Sequence, residues 1–179
     1  TTSPYYHPIL PLLCNQESAR VVLPKLSLPK KRLLATEDAK IQVEKAVLTY
    51  ERYFGQKPCG MWPSEGAVSD EIIPILSQAG VRWVASDEEI LACSLGNQLL
   101  RDEYGDIVTP DILYKPYRVH IKDNDVNIVF RDHNLSDLIG FQYSQYIVDN
   151  AVSDFMNRMS SLKKYNVTLI NDLIKICKE

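Results

Sequence analysis

Gly60-Met61-Trp62-Pro63-Ser64-Glu65-Gly66 puts one carboxylate, Glu65, beside an indole, Trp62, in a stiff polar turn. Pro63 fixes its own φ and restricts Trp62, while Gly66 opens backbone conformations closed to other residues. Such a turn sets the direction of the Glu65 side chain. The twenty residues after it decide the fold. Ser69-Asp70-Glu71 reads as a helix N-cap with acids in the first turn, ahead of the apolar positions Ile72, Ile73, Leu76 and Ala79, with Gly80 as the stop. Val81 to Ala85 is then a short β-branched strand ending at Asp87. A loop that feeds a helix and returns to a strand is the unit from which α/β proteins are built. Taken alone, the heptapeptide leaves a duller reading open, in which Glu65 caps or ion-pairs its own loop.

The same alternation extends both ways. Thr36 can cap a helix that carries Ile41, Val47, Leu48 and Phe54 and stops at Gly55. Residues 96 to 127 are rich in Gly, Asn and Asp turn signals around Tyr114-Lys115-Pro116-Tyr117-Arg118, and read as an irregular excursion with a small hairpin. Asn127 to Phe130 is a strand whose end delivers Arg131-Asp132-His133. A helix around Leu135 to Phe141 follows, then one with Val148, Val152, Phe155, Met156 and Met159 at helical spacing, whose methionines are expected in the core. Val167 to Ile170 is the last strand and Asp172 to Lys178 the last helix. The expected architecture is α/β with mostly parallel strands, in a single domain spanning 1 to 179.

At 179 residues, with 45% hydrophobic and 24% charged side chains, the chain can bury one sizeable core. A net charge of −3 gives no basic footprint, so nucleic acid is not an expected partner. Pro29-Lys30-Lys31-Arg32 reads as a solvated loop before a helix rather than a targeting patch. The cysteines at 14, 59, 93 and 177 show no CxxC spacing, which points to reduced thiols of a cytoplasmic protein and away from a zinc site. Asn166-Val167-Thr168 matches a glycosylation acceptor by chance, in an apolar setting. No apolar run approaches the ~20 residues a membrane helix needs.

Four segments, in order, carry a resemblance. They are Thr1 to Leu13 (with Tyr5-Tyr6-His7-Pro8), Gly60 to Glu71, Val81 to Leu91 (with Ser86-Asp87-Glu88-Glu89), and Phe130 to Phe141 (with Arg131-Asp132-His133-Asn134-Leu135-Ser136-Asp137). Together they resemble glycoside hydrolase family 57, which contains α-amylases, amylopullulanases, branching enzymes and 4-α-glucanotransferases. The resemblance implies part of a (β/α)7 barrel and no cofactor. It implies that Glu65, three residues after Trp62, is the catalytic nucleophile. Tyr5, Tyr6, His7, Trp62, Asp87, Arg131, Asp132 and His133 would line the site at the C-terminal ends of the strands and bind an α-glucan or maltooligosaccharide. Aromatics suit sugar ring faces, and charged hydrogen-bonders suit their hydroxyl rims.

Each of these has a plainer alternative. His7 can be a hydrogen-bonded core histidine. Arg131 and Asp132 can be a local ion pair, with Arg131 supporting Asp132 or Glu65 instead of touching substrate. Asp87, followed by Glu88 and Glu89, can simply begin a helix. Tyr114 and Tyr117 can form a sugar platform or a plug under a loop.

The reaction implied is retaining cleavage or transfer at α-glucosidic bonds, with two carboxyl groups ~5–5.5 Å apart. The resemblance fails at the acid. The family pattern runs from a strand into Asp-Gly-Glu-Asn, whereas here Val167 to Ile170 runs into Asn171-Asp172-Leu173-Ile174. Asp172 reads better as the start of a helix than as a proton donor. With Thr1-Thr2 opening inside a motif, the expectation is an incomplete barrel lacking its first strand and its acid-bearing loop, prone to self-association through open sheet edges. A catalytically incomplete carbohydrate-binding or structural remnant is therefore the second reading. A metal-dependent deacetylase on a similar barrel is a third, and three histidines at 7, 120 and 133 make its ligand set thin, so no metal is expected.

Overall fold

The computed structural model describes residues 1–162. Its elements run α1 (Leu10–Cys14), α2 (Ala19–Val22), α3 (Thr36–Phe54), β1 (Gly60–Met61), α4 (Ile72–Gln78), β2 (Trp83–Asp87), α5 (Glu88–Leu95), α6 (Pro110–Leu113), β3 (Tyr117–Ile121), β4 (Asn124–Arg131), α7 (His133–Asp137) and α8 (Val148–Leu162). The strands form a sheet in the order β1-β2-β4-β3, with β1 parallel to β2 and β3 antiparallel to β4. This is α/β architecture, as the alternation of strand and helix predicts. The expected strand Val167 to Ile170, the helix after it and Asp172 lie outside the described residues. Among those described, no helix is long and apolar enough to cross a membrane. Two compact units are separated, Thr1–Ser86 with Tyr117–Ile128, and Asp87–Pro116 with the described residues from Val129 onward.

In the first unit, α3 buries Ala39, Val43, Ala46 and Val47, a stripe at helical spacing, and packs on α1 and α4. Ile41 and Leu48, expected on that stripe, are exposed. Each stands two residues, about 200° of helix rotation, past a buried alanine. Phe54 is also exposed, on the last turn, where its ring lies 4.4 Å from that of Tyr50. Gly55 ends the helix in the left-handed region at φ 72, as expected. Thr36 is the first helical residue rather than the cap, and its side chain hydrogen-bonds Cys14, whose thiol burial pushes up all the same. α4 starts at Ile72 without the side-chain cap expected from Ser69; the Ser69 carbonyl accepts the Ile72 N–H at 3.2 Å instead. Ile72, Ile73 and Leu76 are buried as their spacing predicts.

β1 and β2 approach closely because residue 60 has no side chain. A Cβ on Gly60 would sit 2.2 Å from the Trp83 ring. Gly60→Ala therefore has to displace the indole and should lower stability by about 1–3 kcal/mol, read as a fall in the urea midpoint. The hairpin falls later than the turn signals suggest. β3 and β4 are joined at Lys122-Asp123, with Ile121 opposite Asn124 and Lys122 at φ 55, the left-handed conformation that two-residue hairpin turns demand.

In the second unit, Asp87 caps α5 by accepting the Glu89 N–H at 3.0 Å, and Gly96 closes it at φ 66. Asp132 caps α7, which begins at His133, two residues earlier than the apolar pattern suggests, and gives way to a wider π turn over Leu138–Gln142. The methionines of α8 are a correction. Met156 and Met159 are exposed, with Val148 and Val152. The helix turns Asp154 and Arg158 inward instead: Arg158 donates to Asp106 at 2.8 Å and to Asp154 at 3.0 Å, and the Tyr143 hydroxyl donates to Asp154 at 2.8 Å. Among the described residues, the inward side of α8 is thus polar where the spacing predicts an apolar one.

Candidate active site

The residues singled out by sequence fall into two clusters, one in each unit. The first is organised by β1. Thr2 bridges Met61 in parallel: its N–H donates to the Gly60 carbonyl at 3.2 Å, and its carbonyl accepts from the Trp62 N–H at 2.8 Å. Parallel pairing sends both chains out at the same end, so Tyr5-Tyr6-His7 and Trp62-Pro63-Ser64-Glu65 leave together. Gln42 of α3 accepts the Tyr5 N–H on its backbone carbonyl at 3.2 Å and the Tyr6 N–H on Oε1 at 2.8 Å. The Tyr5 and Tyr6 rings meet edge to face at 4.7 Å, with Lys45 Nζ 5.9 Å from the Tyr5 centroid. Tyr5, Tyr6 and Trp62 are all exposed, leaving apolar ring faces open to solvent. His7 is exposed too, which removes the core-histidine reading.

Glu65 is presented by a backbone that resists it. Pro63 sits at φ −56, ψ 147, Ser64 and Gly66 are buried, and Glu65 between them is exposed. The Gly66 N–H donates to the Pro63 carbonyl at 2.9 Å and the Ala67 N–H to the Ser64 carbonyl at 3.1 Å. Glu65 itself lies at φ 56, ψ 20. A left-handed conformation costs an L-residue with a side chain ~1–2 kcal/mol. Among the described residues, the non-glycine positions with positive φ are His7, Glu65 and Lys122. The hairpin accounts for Lys122. The other two fall on the segments that carry the candidate site, where backbone strain tends to gather. Ser64 Oγ, next to Glu65, is buried without a hydrogen-bond partner.

The second cluster is ionic. Asp87 Oδ2 accepts from Arg131 Nε at 2.6 Å and lies 3.2 Å from His133 Nδ1, while His133 Nε2 lies 3.2 Å from Asp137 Oδ2. Asp87 therefore both begins α5 and holds Arg131 and His133. Arg131 pairs with Asp87 and not with its neighbour Asp132, because adjacent residues at a strand end point to opposite sides. Asp132 joins a network around Arg101 that the sequence did not signal and that meets the Asp87 contacts where Glu88 Oε2 accepts the His133 N–H at 3.3 Å. Arg101 Nη2 donates to Glu88 at 2.6 Å and to Asp132 at 3.0 Å, Nη1 donates to the Gly105 carbonyl at 2.7 Å, and the Tyr114 hydroxyl donates to Asp132. Burial, and then the Asp132 carboxylate, push the Tyr114 phenol well above its ordinary value, so it stays a donor. The Tyr114 hydroxyl is thus tied to Asp132.

Burial alone would raise the Asp87 pKa, but the Glu89 amide, Arg131 and His133 outweigh it and hold the carboxyl below its ordinary value. A depressed folded-state pKa means stability that is present above the unfolded value of ~3.9 and is lost as pH falls through the lower folded value. Asp87→Asn keeps one oxygen for the helix cap but removes the charge and the second acceptor, the one that Arg131 and His133 share. Its deficit against wild type should be largest near neutrality and shrink below about pH 4, measured by denaturant unfolding across that range.

A groove of about 280 Å³ in the first unit is lined by Glu44, Val47, Leu48, Lys57, Gln78 and Ala79, and no candidate residue is in its wall.

The sequence matches the family model described as Glycosyl hydrolase family 57 over residues 1–178. The chain belongs to glycosyl hydrolase family 57. Its fold is similar to that of 4-alpha-glucanotransferase from Thermococcus litoralis, at 20% identity and a TM-score of 0.54, with 88% of this chain and 19% of that one covered. An alpha-amylase from Thermotoga maritima (20% identity, TM-score 0.47, 76% and 20% covered) and a branching enzyme from Thermococcus kodakaraensis (20%, 0.47, 79% and 24%) are further similar structures. This family 57 chain thus spans about a fifth of the length of the first two solved proteins. No curated protein matches it.

Proposed function

We propose that this family 57 chain belongs to an enzyme that hydrolyses or transfers α-glucosidic bonds with retention, with Glu65 as the nucleophile and the described segment as part of a (β/α)7 barrel. The observation that carries this reading is the conformation of Glu65, an exposed carboxylate held left-handed between two buried residues, in the Trp-Pro-Ser-Glu loop by which the chain resembles its family. A carboxylate fixed in direction is what in-line attack on an anomeric carbon needs, because orientation contributes much of the rate of such a step. Tyr5, Tyr6 and Trp62 supply ring faces for an α-glucan or maltooligosaccharide. In the second cluster His133 and Arg131 are open enough to meet sugar hydroxyls, with side chains 45% and 34% exposed. Asp87 orients them. Asp132, with its side chain only 6% exposed, holds Arg101, Tyr114 and the first turn of α7.

The test is a mechanism-based glucosyl fluoride with fluorine at C2, which slows release of the glycosyl-enzyme. Mass spectrometry of the digested protein should find one glucosyl group, on the peptide carrying Glu65. A label on any other residue would end the assignment. Running the same protein on a maltooligosaccharide and on an aryl glucoside, whose leaving group needs no protonation, reports separately on the proton donor.

A further inference from the structure

Ser86 is fully buried in β2, a strand whose neighbouring residues Val84 and Ala85 are apolar. A hydroxyl in such a place is unfavourable unless it is bonded. Its Oγ donates to the Gly66 carbonyl at 2.6 Å, and both residues belong to the first unit. That carbonyl belongs to the peptide following Gly66, while the Gly66 N–H, bound to the Pro63 carbonyl at 2.9 Å, belongs to the peptide joining it to Glu65. Gly66 is therefore held on both sides. One hold is internal to the turn; the other comes from a strand. The φ of 56 at Glu65 is a rotation about its N–Cα bond, so leaving it either turns the Ser64–Glu65 peptide, whose Ser64 carbonyl accepts the Ala67 N–H at 3.1 Å, or swings the chain from Glu65 onward, which the two bonds at Gly66 oppose.

We propose that Ser86 is a positioning residue for Glu65: its buried hydroxyl locks the Gly66 carbonyl and thereby the left-handed turn that aims the carboxylate. The catalytic half of this inference rests on the reading of Glu65 as nucleophile; the geometric half does not. Nothing in the Trp62-to-Gly66 stretch by itself indicates the tie, because its anchor lies twenty residues on, at the far end of the next β–α–β step.

Two readouts on the intact protein test it. The first is the rate of glucosyl labelling at Glu65 by the 2-fluoro reagent, with maltooligosaccharide affinity measured alongside. Ser86→Ala should label ~10- to 100-fold more slowly, the scale expected for a misaimed group, with affinity within about twofold. Ser86→Thr, which restores a hydroxyl, should recover most of the rate. The second is hydrogen exchange at the Gly66 and Ala67 amides, which should speed up in Ser86→Ala and return in Ser86→Thr. If Ser86→Ala does not fold, Ser86→Cys, with similar volume and a weaker donor, should give an intermediate labelling rate and intermediate exchange. An unchanged labelling rate in a folded Ser86→Ala or Ser86→Cys would overturn the proposal, as would failure of Ser86→Thr to rescue it. Labelling away from Glu65 in wild type would instead remove the nucleophile reading. Amide exchange then decides the geometric half alone, and wild-type protection in Ser86→Ala would overturn that too.

Discussion

Glu65→Gln should lower glucosyl transfer by roughly 10⁴-fold or more while leaving glucan affinity close to wild type. The amide keeps the volume and shape of the side chain but cannot form the glycosyl ester, and covalent catalysis has no substitute once its nucleophile is gone. Binding should persist because the exposed aromatics Tyr5, Tyr6 and Trp62 are untouched. A second variant makes the result positive rather than merely a loss. In Glu65→Ala the space left by the carboxylate admits azide, which attacks the anomeric carbon of an activated aryl glucoside as the C–O bond breaks and the aryl oxide leaves as an anion. The product is a glucosyl azide of opposite anomeric configuration to the substrate. Recovery of that azide from an activated aryl glucoside places residue 65 on the nucleophile's side of the ring. Retention of more than about a tenth of the wild-type rate by Glu65→Gln would refute the role.

The second large effect concerns stability. Arg101 is the cation between two carboxylates, Glu88 and Asp132, with side chains only 10% and 6% exposed. Arg101→Ala leaves both carboxylates without their cation, and breaking a buried pair from one side typically costs about 3–5 kcal/mol. For a chain of this size that corresponds to a fall in Tm of roughly 10 °C, measurable by calorimetry. Arg101→Lys should recover only part of it, since one ammonium cannot reproduce the fork that reaches Glu88, Asp132 and the Gly105 carbonyl together. Adding Glu88→Gln to Arg101→Ala should restore stability relative to Arg101→Ala alone, because one stranded charge is removed. If the double variant is less stable than Arg101→Ala, charge stranding is not the cause.

Local chemistry was legible where it was written locally. Gly55 and Gly80 stop helices where the sequence places them, Asp87 stands at a strand end, and the Trp62-to-Gly66 turn does present an exposed Glu65. The misses share a cause. Ile41 and Leu48 are apolar but lie on the outer side of α3, a matter of rotation that composition does not reveal. Met156 and Met159 follow helical spacing, yet the inward side of α8 is taken by Asp154 and Arg158, whose partners Tyr143 and Asp106 lie on other segments. Arg101 was not singled out, and Glu88 only as part of a helix start, because an ion pair thirteen residues apart has no periodic signature. Pairing Arg131 with Asp132 took nearness along the chain for nearness in space, and the guanidinium reaches Asp87 instead. Periodicity reports which face could be buried; long-range polar partners decide which one is.

The close approach of Gly60 to Trp83 has an optical consequence. The chain contains two tryptophans. The Trp83 indole nitrogen is buried, without a hydrogen-bond partner, and its ring lies against the β1 backbone, whereas Trp62 stands open to solvent beside Glu65. The two indoles therefore sit in media of contrasting polarity, so their emission separates into a blue component from the sheet and a red component from the loop. An aqueous quencher such as iodide reaches Trp62 and leaves Trp83 bright. The protein thus carries, without any added dye, one lamp on the loop proposed to face sugar and a second that serves as the internal reference.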